Sequence, residues 1–179
     1  MIEIKPHLFS YVPWNLHEPE KGVLDFGDGG RDFSAFLDLP RFLQMAQEED
    51  LFVIFRPGPY ICGEWEFGGI PSWLLHEHPM FVRTSFQGYQ DRANIFINEV
   101  ASRVKDLQWY TAAGSSGGPI IMTQVENEYG HFGYDDYSRD TAHLENLKQT
   151  LRNSGIESLL FTSGNSYKTN LTPKYLSTN

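Results

Sequence analysis

Two glutamates flank an asparagine directly after an apolar segment, in the run Gln124-Val125-Glu126-Asn127-Glu128-Tyr129-Gly130. If that segment is a strand that continues this far, Glu126 and Glu128 point to the same side, because alternate residues of a strand share a face. Two neighbouring carboxylates repel each other, which raises the pKa of one and keeps it protonated near neutral pH. A general acid needs such a proton, so the run predicts acid–base catalysis. The alternative is a solvated turn with two surface acids.

Two further clusters combine aromatic and polar residues after short apolar runs. Residues 56–69 are dense in proline and glycine, which fix an unusual backbone around Glu64 and Trp65. Residues 11–19 include Trp14 among polar neighbours. Carboxylates accept hydrogen bonds from sugar hydroxyls, and an indole face packs against the C–H face of a pyranose. Both clusters therefore fit a sugar site. They fit equally well a pair of rigid turns in which Trp65 or Trp14 is a core ring.

Metal and thiol chemistry find little support in the sequence. His76 and His78 lie two residues apart, whereas a helical zinc site has its histidines four apart. Cys62 is the single cysteine and has no histidine partner nearby in the sequence. There is no Gly-x-Ser-x-Gly motif either. We therefore expect no metal and no cofactor.

Short apolar runs alternate with amphipathic stretches along the chain. The strands are predicted at 8–12, 51–56, 120–125 and 159–162. The last three are almost continuously apolar, which is typical of parallel strands buried on both faces. Apolar residues at helical spacing predict helices at 39–46, 93–107 and 144–151, the first capped by Asp38 with Pro40 in its first turn.

Strands that alternate with helices predict the α/β class, either as an open doubly wound sheet or as a closed (β/α)8 TIM barrel. No Gly-x-Gly-x-x-Gly turn is present to anchor a nucleotide on an open sheet. Polar and aromatic residues directly follow three of the strands, and a barrel builds its active site at the carboxyl ends of its strands. A full barrel needs roughly 200–250 residues or more, so we expect a partial barrel here.

The formal net charge of −9 argues against two classes of partner. An acidic chain repels phosphate backbones, so we expect no nucleic acid, and an anionic membrane surface is disfavoured for the same reason. No apolar run is long enough to span a membrane. Residues 1–10 lack the basic start and long apolar stretch of a signal peptide.

Together the three clusters resemble glycoside hydrolase family 35, the animal and plant type of β-galactosidase. The resemblance runs from about residue 11 to residue 165, with its motifs in order. They are Tyr11-Val-Pro-Trp-Asn-Leu-His-Glu-Pro19, Arg56-Pro-Gly-Pro-Tyr-Ile-Cys-Gly-Glu-Trp65, and Gly117-Gly-Pro-Ile-Ile121 leading into Gln124-Val-Glu-Asn-Glu-Tyr129. Residues 1–10 match poorly, so we separate them from a partial catalytic barrel at 11–179.

The resemblance implies a (β/α)8 barrel, represented here by about strands 2–5, that hydrolyses terminal non-reducing β-D-galactose residues with retention. It implies that Glu128 is the general acid/base at the end of barrel strand four and that Asn127 binds near the 2-hydroxyl of the sugar. It assigns no catalytic role to Glu126. The other galactose hydroxyls would be bound by Tyr11, the backbone of Cys62 and Gly63, and the carboxylate of Glu64. The family also implies a lysosomal, vacuolar or extracellular location.

One expected part of the family's machinery finds no match. The nucleophile of the family is a glutamate at the end of about strand seven, and no segment of this chain matches that motif. Two other hypotheses therefore stand beside the enzyme: an inactive galactose-binding remnant that uses Tyr11, Glu64 and Asn127, and a non-functional fragment that does not fold stably. Galactose binding without hydrolysis would favour the first, and uncooperative thermal unfolding would favour the second.

Overall fold

The computed structural model describes residues 6–115, 117–133 and 139–164, and parallel strands form its main sheet. The strands are β1 (His7–Tyr11), β2 (Phe52–Arg56), β3 (Tyr110–Thr111), β4 (Gly114–Ser115), β5 (Ile120–Gln124) and β6 (Leu159–Phe161). The main sheet has the order β1-β2-β5-β6 with every pair parallel, while β3 and β4 form a separate antiparallel pair. The four predicted strands and their parallel arrangement are confirmed.

Helices connect the strands of the main sheet, as the α/β class requires. They are α1 (Trp14–His17), α2 (Leu39–Glu48), α3 (Gln87–Val104) and α4 (Thr141–Asn153), with single 3-10 turns at Ser34–Phe36, Glu66–Gly69, Ser72–His76, Lys105–Leu107 and Tyr129–His131. The predicted cap is confirmed, since the carboxylate of Asp38 accepts the backbone N–H of Arg41 at 3.0 Å. Among the described residues, no helix combines the length and apolar content needed to cross a bilayer.

The helices cover one face of the sheet. Val53 and Phe55 are fully buried in one core with residues of α2, α3 and α4, whereas the alternate residues of β2 are only partly buried. On that second face Phe9 is 52% exposed and Leu159 is 55% exposed. The prediction that the strands are buried on both faces is therefore wrong for the described residues, because their helices pack on one side only.

Trp14 belongs to the core. Its side chain has no exposed surface, its ring stacks on Phe96 with centroids 5.2 Å apart, and its Nε1–H donates to the carboxylate of Glu18 at 2.6 Å. A sugar cannot reach a ring in this position. Of the two alternatives for Trp14, the structure therefore confirms the core ring, which fixes the loop after β1 against α3.

Candidate functional site

The predicted site residues lie at the carboxyl ends of three neighbouring strands. Tyr11 is the last residue of β1, residues 62–64 follow β2, and Asn127 with Glu128 follows β5. Since β1, β2 and β5 are adjacent and parallel, these ends lie along one edge of the sheet. In α/β folds that edge is where ligands bind.

Arg56, which sequence analysis did not single out, connects two of these strand ends. Its guanidinium lies 4.2 Å from the ring centroid of Tyr11, its register partner on β1, and its Nη2 donates to Oδ1 of Asn127. The Nε2 of Gln124 donates to the same oxygen at 3.1 Å. With Oδ1 facing two donors, the amide orientation of Asn127 is fixed and its Nδ2 is directed elsewhere. The sequence offered one signal: Arg56 is a charged residue that ends an apolar strand.

The loop after β2 holds a strained backbone close to Tyr11. Cys62, Gly63 and Glu64 have φ values of 58°, 61° and 50°, so three consecutive residues are left-handed. A Cβ added at Gly63 would lie 3.4 Å from a ring carbon of Tyr11, which shows how closely the loop approaches that ring. A non-glycine residue in this conformation costs of order 1–3 kcal/mol, and such strain concentrates at binding and catalytic sites.

An open cleft of about 480 Å³ lies beside this loop, lined among others by Asn15, Glu64 and Trp65. Trp65 is 45% exposed, so it is not the core ring that was one of its two alternatives. Its Nε1–H donates to Oδ1 of Asn15 at 2.9 Å, and Nδ2 of Asn15 donates to the carbonyl of Glu66 at 3.2 Å. The indole is therefore held in place while part of its surface faces solvent.

Glu126 and Glu128 have opposite environments. The strand ends at Gln124, and both glutamates are left-handed, with φ values of 59° and 46°, so the alternation of a strand does not reach them. Glu126 is buried, and its carboxylate accepts hydrogen bonds from Nε and Nη2 of Arg83 at 2.9 and 2.7 Å. Glu128 is exposed. The carboxylates are thus separated by burial instead of sharing one face.

The charge of Glu126 is stabilised by its partners. Burial raises the pKa of this carboxyl, but the hydrogen bond from His143 and the charge and hydrogen bonds of Arg83 outweigh burial and lower the pKa overall. Glu126 is therefore ionised and already neutralised by an arginine. Sequence analysis expected Glu126 and Glu128 to be neighbours that repel each other. The structure instead pairs Glu126 with the buried Arg83, a partner that the sequence did not reveal.

Glu128 faces solvent on a backbone that β6 supports. Its backbone N–H donates to Oγ of Ser163 at 3.2 Å, just after β6 ends. A Cβ added at Gly164 would lie 3.0 Å from Cα of Glu128, and Gly164 has a φ of 109°, so this close approach requires glycine. Within the described part of the chain, the carboxylate of Glu128 accepts no hydrogen bond and is open to an incoming ligand.

The structure joins some of the predicted residues directly and leaves others apart. Tyr11, Gly63 and Asn127 are connected through ring contact and through Arg56. Glu64 lines the cleft beside Trp65 and makes no described contact with Glu128. No group of three or more potential metal ligands is found among the described residues.

Comparison with known proteins yields a family and a set of close relatives. The family described as Glycosyl hydrolases family 35 matches residues 7–177. Beta-galactosidase-1-like protein 2 of Homo sapiens is 46% identical over 158 residues, which are 88% of this chain and 22% of that protein. Beta-galactosidase of Homo sapiens is 37% identical over 161 residues, which are 89% of this chain and 21% of that protein. The chain thus spans about a fifth of the length of these relatives.

Solved structures of low sequence identity share the fold. The crystal structure of GH5_18 from Streptomyces cattleya in complex with GlcNAc superposes with a TM-score of 0.61 at 14% identity, covering 89% of this chain and 36% of that one. The exo-beta-1,4-mannosidase Op5Man5 from Opitutaceae bacterium strain TAV5 gives a TM-score of 0.56 at 15% identity, covering 88% and 25%. At these identities the likeness establishes the arrangement of strands and helices alone.

Proposed function

The chain belongs to glycosyl hydrolases family 35, and from this membership we propose that the protein hydrolyses terminal non-reducing β-D-galactose residues of β-galactosides with retention, using Glu128 as the general acid/base. The names of the relatives support β-galactosides as the substrate class. The same proposal includes a (β/α)8 barrel, to which β1, β2, β5 and β6 contribute four neighbouring strands, and a lysosomal, vacuolar or extracellular location.

One observation carries the proposal: an exposed carboxylate follows a side-chain amide whose acceptor is already occupied. Arg56 and Gln124 both donate hydrogen bonds to Oδ1 of Asn127, so Nδ2 of Asn127 can donate to a hydroxyl oxygen of the sugar. Glu128 is the next residue and is open to the glycosidic oxygen. In glycoside hydrolysis a general acid protonates the leaving oxygen, and hydrogen bonds to the 2-hydroxyl strengthen in the transition state.

The chemistry then requires two steps. A carboxylate attacks the anomeric carbon and the bond to the leaving oxygen breaks, while Glu128 gives its proton to that oxygen. Water next attacks the same carbon and displaces the carboxylate, while Glu128 takes a proton from the water. We assign the attacking carboxylate to a glutamate outside these 179 residues. Retention requires it about 5–5.5 Å from Glu128.

The remaining site residues would hold the galactose ring. Glu64 offers carboxylate oxygens to two hydroxyl donors, and the left-handed backbone at Cys62 and Gly63 turns its peptide groups out of the regular strand pattern. Tyr11 is fixed by its contact with Arg56, so its ring can define one wall of the site. Bound in this way, the sugar is oriented toward Glu128, and orientation of this kind lowers the barrier of the first step.

Glu128→Gln in the complete gene product tests the proposal. Hydrolysis of lactose should fall about 10²–10⁴-fold, because the poor leaving group needs the proton. A galactoside whose leaving group is an acidic phenol should lose much less in the first step, and added azide should restore turnover and yield β-galactosyl azide. Glu145→Gln, an exposed change on α4, is the matched control and should behave as wild type.

The outcomes separate the alternatives. Lactose hydrolysis at the wild-type rate by Glu128→Gln would refute the assignment of Glu128. Galactose binding by the wild-type gene product, with no turnover of any galactoside, would instead favour the inactive galactose-binding protein. The anomeric configuration of the first product, read by NMR before mutarotation, decides between retention and inversion.

A further inference from the structure

We propose that the buried ion pair of Arg83 and Glu126 positions Asn127 by hydrogen bonding to both its backbone N–H and its backbone C=O, and that these bonds support kcat. The inference rests on the proposed function and extends it to two residues that do not touch the sugar. Arg83 and Glu126 are 7% and 2% exposed, and they lie 43 residues apart in the chain. Both have left-handed backbones, with φ values of 58° and 59°.

Four short hydrogen bonds join Arg83, Glu126 and the backbone of Asn127. Nε and Nη2 of Arg83 donate to the two carboxylate oxygens of Glu126 at 2.9 and 2.7 Å. The same Nη2 donates to the backbone carbonyl of Asn127 at 2.8 Å. The backbone N–H of Asn127 donates to Oε2 of Glu126 at 2.7 Å. The N–H and the C=O of one residue are therefore bound by the two halves of one ion pair.

Side chains of α3 and α4 support the ion pair on the side of the helical layer. Nε2 of His143, on α4, lies 3.3 Å from Oε1 of Glu126, and Nδ1 of His143 accepts from Nε2 of Gln90, on α3, at 2.8 Å. Gln90 also donates to the carbonyl of Thr84, so its amide group, and hence the donor facing Nδ1, is fixed. This assigns the ring proton of His143 to Nε2, where it can be donated to Glu126.

Aromatic rings hold the guanidinium of Arg83 in one orientation. The ring centroids of Tyr60 and Phe132 lie 3.6 and 4.2 Å from its central carbon. The hydroxyl of Tyr129 donates to the backbone carbonyl of Arg83 at 2.8 Å, which ties the arginine to the segment it holds. Both the guanidinium of Arg83 and its backbone are therefore held in place.

Stability alone does not account for this arrangement. A buried ion pair contributes little net stability over well-packed apolar residues of similar volume. This pair does something that apolar residues cannot do: it satisfies the polar backbone of Asn127 between two left-handed residues, Glu126 and Glu128. Without it the amide that donates to the sugar would shift, and a displacement of 1 Å can cost about 10²-fold in rate.

Kinetics of Glu126→Gln in the complete gene product are the test. We expect kcat on galactosides to fall about 10²-fold, by the same factor for good and poor leaving groups, with little change in KM. The loss should not add to that of Asn127→Ala: in the Asn127→Ala background, Glu126→Gln should cost almost nothing further, because both changes remove the same contribution. A purely structural role would not produce this coupling.

A second variant keeps the test valid if Glu126→Gln fails to fold. Arg83→Met combined with Glu126→Leu removes both charges, so neither is left buried without its partner. Its thermal midpoint should fall, because the backbone N–H and C=O of Asn127 lose their partners, but the folded enzyme should have a kcat as low as that of Glu126→Gln. Wild-type kcat in either variant, or losses that add to that of Asn127→Ala, would overturn the inference while leaving the assignment of Glu128 intact. Wild-type turnover by both Asn127→Ala and Glu128→Gln would overturn the proposed function as well.

Discussion

Replacing Arg56 with methionine tests whether the orientation of Asn127 matters to the chemistry. The change keeps an unbranched apolar stem but removes the donor to Oδ1 of Asn127 and the cation that lies 4.2 Å from the ring of Tyr11. A hydrogen bond from a charged group contributes about 1.5–3 kcal/mol, and a partly exposed cation–π contact about 0.5–1 kcal/mol. These contributions set an upper limit of about 2–4 kcal/mol for the loss of positioning.

The expected loss of activity is smaller than this limit, because Gln124 still donates to Oδ1 at 3.1 Å. At 1.36 kcal/mol for each tenfold change in rate, we expect Arg56→Met to lower kcat/KM for β-galactosides about 10–100-fold. Arg56→Lys keeps a charged donor without the planar fork and should fall between wild type and Arg56→Met. The assay is initial-rate hydrolysis by the complete gene product, with circular dichroism to compare thermal midpoints.

Arg41→Met is the matched control for this prediction. Arg41 lies on the surface of α2, where its guanidinium pairs with Glu48 at 2.8 Å, and an exposed pair of this kind contributes little to stability. Its kcat/KM should equal that of wild type. If Arg56→Met folds and hydrolyses galactosides within threefold of the control, the argument from the amide of Asn127 is refuted.

Two further predictions concern stability. Asp25 is buried and accepts from Gly27 N–H, Ser34 Oγ and Arg31; burial raises its pKa, but these bonds outweigh burial and lower it strongly. Asp25→Asn should lower the free energy of unfolding by about 2–3 kcal/mol at pH 7. Because the pKa of Asp25 is lower in the folded state, the difference in unfolding free energy between wild type and variant should shrink as pH falls below about 4. A difference that grows in acid would contradict this. A Cβ at Gly118 would lie 2.2 Å from the carbonyl of Leu107, so Gly118→Ala should lower the thermal midpoint by the equivalent of about 1–3 kcal/mol. Gly88→Ala is its control: the Cβ would meet only the movable end of the Phe86 ring, and alanine favours α3, so an equal drop in both variants would refute the argument.

Local patterns were enough to predict the elements and the edge of the sheet where the site lies. Continuous apolar runs predicted the strands, and the cap at Asp38 predicted the start of α2, because both signals act within a few residues. The predicted sugar ligands lie at the carboxyl ends of their strands, yet sequence could not tell that Trp14 is buried and Trp65 is half exposed. That difference depends on which helix packs over each loop.

The buried partners could not be predicted, because they come from distant parts of the chain. Arg83 reaches Glu126 from the segment between the second and third helices, and nothing in its own neighbourhood in the sequence indicates a carboxylate partner. The spacing of Glu126 and Glu128 predicted that both side chains point to the same side of a strand, whereas left-handed residues redirect the chain after Gln124. Such turns depend on tertiary contacts that single-sequence patterns do not contain.

The one-sided covering of the sheet has a practical consequence for handling this polypeptide in solution. Phe9 and Leu159 expose more than half of their surface on the face without helices, and among the described strands β1 and β6 each pair on one edge only. Apolar surface next to unpaired strand edges promotes association between molecules. When purified by itself at high concentration, the 179-residue polypeptide should therefore form oligomers, and dilution or a mild detergent should reverse their formation as followed by light scattering.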